Sequence, residues 1–121
     1  MKEFQPDRPI YLQLADEIRK RAARGTYRAG ERLPSVRNFA RDVGVNPNTA
    51  SRAYSELEQE GFLVTRRGLG CFVTEDGNRL RMERWRLAEG AREQFIKEVW
   101  ELELSAEQLD ELTQTLREEL E

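Results

Sequence analysis

Between Pro34 and Gly61 the chain reads PSVRNFARDVGVNPNTASRAYSELEQEG, and two helical patterns are separated there by little more than Gly44, Val45 and Asn46. The first pattern sets Val36, Phe39, Ala40 and Val43 on one face. The second sets Ala53, Tyr54 and Leu57 on one face and starts at Pro47, whose missing N–H is harmless in a first helical turn. Gly44 suits the left-handed conformation that ends a helix and turns the chain sharply. So short a connection forces the two helices to pack as a tight pair. The first two turns of the second helix carry Asn46, Asn48, Thr49, Ser51 and Arg52, where a core helix would carry apolar residues. That end is shaped to face something outside the protein.

The flanking segments extend the pair. Pro9 opens an earlier helix with Ile10, Leu12, Leu14, Ala15, Ile18 and Ala22 near helical spacing, and Gly25 stops it. GTYRAGERL, from Gly25 to Leu33, has no sustained period and reads as a loop. After Gly61, GFLVTRR and GCFV are short β-rich runs flanking Gly68, Leu69 and Gly70, a hairpin with an Arg-Arg-Gly tip. Helix, helix, turn, helix and hairpin is the order of a winged helix-turn-helix, so the expected fold class is mainly α with a small β-hairpin, followed by a helical tail. Leu12, Ile18, Val36, Phe39, Val43, Tyr54, Leu57, Phe62 and Val64 are expected in its core. In such a module the second helix of the pair enters the DNA major groove by its N-terminal residues, which answers what the polar end faces.

Charge is distributed to match. Residues 1–74 hold 13 Lys and Arg against 9 Asp and Glu, whereas residues 75–121 hold 7 against 14. A basic front suits a polyanion and an acidic back does not. With 121 residues, of which 36% are charged, the chain suits one compact domain plus an accessory element and leaves little room for a catalytic cleft. It has no His and a single cysteine, Cys71, which removes an intrachain disulfide, the usual zinc-site spacings and His-based nucleophilic catalysis. No enzyme, cofactor or metal site is expected. No apolar run suits a membrane span and no leader pattern is present, so a cytoplasmic protein is expected.

Pro9 to Val73 closely resembles the DNA-binding domain of the GntR family of bacterial transcription regulators. The resemblance is carried by G-x-x-LPS-x-R from Gly30 to Arg37, NT-x-x-RAY-x-x-L-x-x-EG from Asn48 to Gly61, and RRG-x-G from Arg66 to Gly70. The NPNT variant, Asn46 to Thr49, resembles the YtrA-type branch. The family's contacts then fall on Arg37 from the second helix, on Asn46, Asn48, Thr49, Ser51 and Arg52 of the recognition helix, and on Arg66, Arg67, Gly68 and Gly70 of the wing. Each has a plainer alternative. Ser35 and Asn46 are good helix caps, although a capped N-terminus also offers backbone N–H groups to phosphate. Arg37 has Asp42 or Glu31 as possible ion-pair partners, and Arg52 has Glu56 four residues on. Asn48 and Thr49 have no capping duty and are the stronger base-reading assignments.

Residues 75–121 are too short and too charged for a domain with its own core. Leu80, Trp85, Ala88, Phe95, Val99 and Leu102 share roughly one helical face, interrupted by Gly90. Ser105 to Gln108 forms a capping box, followed by a narrow stripe of Leu109, Leu112, Leu116 and Leu120. Two such stripes need cover, and a second copy of the chain supplies it; the alternative is a helical cap on a monomer. The YtrA-type branch is similar in having a short two-helix tail. The sequence therefore divides into a DNA-binding domain, 1–74, and a dimerisation tail, 75–121, whose candidate contacts are Leu80, Trp85, Phe95, Val99, Leu102, Leu109, Leu112 and Leu116. The function expected is a homodimeric regulator, a repressor, on an inverted-repeat site in double-stranded DNA. The competing reading is a winged-helix module that binds protein and no nucleic acid. No pocket motif identifies a small-molecule effector.

Overall fold

The computed structural model describes residues 4–121. Its elements are α1 (Ile10–Ala23), α2 (Val36–Val43), α3 (Pro47–Gln59), β1 (Leu63–Arg66), β2 (Gly70–Val73), α4 (Gly77–Trp100) and α5 (Ala106–Leu120). They form two compact units, one ending at Trp85 and the other running from Arg86 to Glu121. The mainly helical fold with one antiparallel hairpin agrees with the expected class.

In the first unit α3 packs against α1, α2 and β1. Ala50 and Ala53 are fully buried on its inner face, and their small side chains permit close packing against its neighbours. Leu14, Ile18, Phe39, Leu57, Leu63 and Val73 fill the centre. Burying each large apolar side chain contributes about 1.5–3 kcal/mol. Leu80, from the first turns of α4, packs partly buried against this cluster. The first unit thus takes in the start of α4 rather than closing at the hairpin.

The joint between α2 and α3 follows the local chemistry. Ser35 caps α2 by accepting from the Asn38 N–H, Gly44 ends it at φ 75° and ψ 40°, and Asn46 caps α3 by accepting from the Asn48 N–H. Inside this joint the Tyr54 hydroxyl donates to the Pro34 carbonyl at 2.7 Å, tying α3 to the segment that leads into α2. Burial, and secondarily the neighbouring Tyr27 and Cys71, hold the Tyr54 phenol well above its usual range, so it remains the donor.

Three expectations need correction. Val64 is 43% exposed, because strand side chains alternate and Leu63 takes the inward position; Leu12 and Val36 are only half-buried. Part of the loop before α2 is strand-like, with an antiparallel bridge from Arg32 to Phe72, Leu33 N–H donating to the Cys71 carbonyl and Val73 N–H donating to the Glu31 carbonyl. Gly90 does not interrupt α4, which runs through it, since one glycine weakens a helix by only about 1 kcal/mol.

Candidate nucleic-acid interface

The inner face of α3 is apolar, and its opposite face presents Asn48, Ser51, Arg52 and Ser55 to solvent, with Thr49 half-buried beside them. Asn46 is exposed, but its side-chain oxygen is taken up by the Asn48 N–H at 2.7 Å. The Asn48 side chain has no hydrogen-bond partner among the described residues, so its amide is free for an external group.

The arginines differ in what holds them. Arg37 and Arg67 are exposed and make no hydrogen bond or ion pair among the described residues, so the pairing of Arg37 with Asp42 or Glu31 does not form. Arg52 does not pair with Glu56; its guanidinium lies 4.0 Å from the centre of the Tyr11 ring. A ring face attracts a cation and restrains it while leaving its charge uncompensated. Arg66 is partly neutralised, 3.0 Å from the Glu75 carboxylate and over the face of Phe72.

The hairpin pairs Leu63 with Val73 through to Arg66 with Gly70, and the Leu69 N–H closes its turn onto the Arg66 carbonyl at 2.9 Å. Gly68, at φ 79°, sits at the tip in a backbone conformation that L side chains rarely adopt. Between the wing and the helix pair runs a groove of about 320 Å³, lined by Ser35, Ser51, Ser55, Thr65, Gly70 and Arg32 among others. Sequence reasoning missed Arg32 and Ser55. Ser55 was visible as the residue one turn beyond Ser51. Arg32 was not, because only the bridge to Phe72 brings its aperiodic segment to the wing. Cys71 is half-buried in β2 and its thiol is pushed up chiefly by burial, with Glu58 adding to the effect and Thr65 opposing it.

Of the eight tail residues, Leu80 turns into the first unit's core and Trp85 is 68% exposed. In the second unit Phe95, Val99, Leu109 and Leu112 line one apolar groove of about 430 Å³. Leu102 and Leu116 are exposed, and neither helix has a fully buried side chain. The capping box of Ser105 and Gln108 forms as expected. Among the described residues no helix is long and apolar enough to cross a membrane, and no acidic, His or Cys cluster could hold a metal ion.

Comparison with known proteins agrees with this geometry. Residues 10–73 match the family described as bacterial regulatory proteins, gntR family. The chain is 41% identical over 116 residues to the uncharacterized HTH-type transcriptional regulator YhcF of Bacillus subtilis, covering 96% of each. It is 43% identical over 68 residues to the HTH-type transcriptional repressor YtrA of Bacillus subtilis, covering 56% of this chain and 52% of that one. Among solved structures it is similar to a GntR family transcriptional regulator from Listeria monocytogenes, with a TM-score of 0.80 and 37% identity over 93% of this chain and 98% of that one. It is also similar to the AraR DNA-binding domain in complex with operator ORX1, with a TM-score of 0.55 and 26% identity over 60% of this chain and 93% of that one. With its YtrA-type relatives, the chain belongs to the gntR family of bacterial DNA-binding transcription regulators.

Proposed function

We propose that this regulator is a cytoplasmic homodimeric repressor that places α3 in the major groove of each half of an inverted-repeat operator. Residues 1–74 supply the DNA contacts and residues 75–121 the contacts between protomers. Asn48 and Thr49 read base edges, and Ser51 lies beside them. Arg37, Arg52 and Arg67 meet phosphates, while the Ser35 and Asn46 caps present helix N-termini to the backbone. Gly68 and Gly70 let the wing approach closely, and Arg66 joins it there once drawn from Glu75. A dimer seated on a promoter excludes polymerase, and the relative YtrA is named a repressor.

The observation that carries the reading is the pairing state of the front: Arg37, Arg52 and Arg67 all lack a carboxylate partner among the described residues, around a helix end whose Asn48 amide is free. The test is fluorescence anisotropy on duplex selected from a random pool, titrated with salt. Two protomers neutralising about 4–8 phosphates give a steep fall in affinity with salt despite the acidic pI. A flat dependence overturns the assignment of this surface.

A further inference from the structure

Resting on that reading and extending it, we propose that Arg32 is a DNA-phosphate contact, set between the recognition helix and the wing. Its main chain is fixed by the bridge to Phe72 and by the flanking bonds from Leu33 N–H to the Cys71 carbonyl, 2.8 Å, and from Val73 N–H to the Glu31 carbonyl, 2.9 Å. Its side chain lies beside Gly70 of the wing. A Cβ added at Gly70 would stand 2.8 Å from Arg32 Nε and 3.4 Å from both Cζ and one terminal nitrogen. The lack of a side chain at Gly70 therefore makes the space that the guanidinium fills.

Arg32 is exposed and, among the described residues, makes no hydrogen bond or ion pair. Arg66, on the same hairpin, is bound to Glu75. Arg32 is thus an uncompensated cation beside the wing, as Arg67 is upon it. It borders a groove that also presents the hydroxyls of Ser35, Ser51 and Ser55, and the one carboxylate lining that groove, Glu58, accepts from the Thr65 hydroxyl. A guanidinium beside hydroxyl donors is the chemistry that holds a phosphate oxygen. The groove is continuous with the exposed first turns of α3, so the phosphate belongs to a duplex already engaged by that helix. Backbone contact positions the protein without reading sequence.

The test compares the unsubstituted full chain, Arg32→Ala and Arg32→Lys by anisotropy on the selected operator and on a scrambled duplex, between about 50 and about 200 mM salt. Arg32→Ala is expected to lower the salt slope by about 1 per protomer and to weaken both duplexes by the same factor. Arg32→Lys is expected to keep the slope, since a point charge still meets a phosphate. The Phe72 bridge is made by main chain, so thermal melting of both variants should match the parent. An unchanged slope in Arg32→Ala overturns the proposal, as does a loss confined to the operator, which would make Arg32 a base reader. Failure of the unsubstituted chain to bind any duplex would remove the functional reading and this one with it.

Discussion

Arg52 of α3 rests on Tyr11 of α1, its guanidinium carbon 4.0 Å from the ring centre. A residue first read as a solvent-facing DNA contact is therefore also a link between two helices of the core. A double-mutant cycle of Tyr11→Leu and Arg52→Met should return a coupling of about 0.5–2 kcal/mol in folding free energy from urea titration. Additivity within about 0.3 kcal/mol would show that the ring does not hold the cation.

The two asparagines at the start of α3 should separate cleanly. Asn46 caps the helix, so Asn46→Ala should lower stability by about 1 kcal/mol and weaken operator and random duplex alike. Asn48 has a free amide, so Asn48→Ala should leave melting unchanged and weaken the preferred site by about 1–3 kcal/mol, with little effect on random duplex. Anisotropy on the two duplexes distinguishes them. Equal losses for Asn48→Ala would place it on the backbone.

Tyr54 gives the fold an alkaline limit. Its folded pKa lies above the unfolded value, so the folded state holds the phenol proton more tightly. The resulting stability is intact below about pH 10, the unfolded range, and declines as pH rises beyond it. Tyr54→Phe should lower stability near neutrality by about 0.5–1.5 kcal/mol through the lost bond to Pro34, while flattening the alkaline decline. Thermal melts at pH 8 to 11 read both, and an equally steep decline in the variant would assign it to other groups.

The second unit exposes more apolar surface than a solvated helix pair needs. Trp100 is 82% exposed, Leu109 41% and Leu116 38%. Trp100→Lys removes apolar area that the isolated protomer leaves mostly exposed, so helicity by circular dichroism should persist. Light scattering should shift from about twice 14.2 kDa toward 14.2 kDa at micromolar concentration. Loss of linked half-sites should lower operator affinity by about 10²–10⁴. A parent mass already near 14.2 kDa would exclude a tail-made dimer.

The helix pair was legible because its signals are local: Gly44, Pro47 and the caps at Ser35 and Asn46 each act within a turn, and all four take their expected places. Hairpin order was legible for the same reason, from Gly68 and the β-rich runs beside it. What escaped depends on distant partners. Nothing near Arg52 in sequence points to Tyr11, and nothing near Arg32 points to Phe72. Val64 was misassigned because apolar character in a four-residue strand does not say which face is inward.

The main-chain bonds that lash Glu31 and Leu33 to β2 also bear on the kinetics of association. A hairpin alone in water is marginally stable, and its tip would have to be immobilised at each encounter with a ligand. Here part of that ordering is completed during folding, when the segment before α2 docks on Cys71 and Val73 of β2 as a partial third strand. The loss of chain entropy is thereby moved from the binding step to the folding step. Complex formation should then follow a single concentration-dependent phase limited by encounter and orientation, with no slower ordering phase behind it.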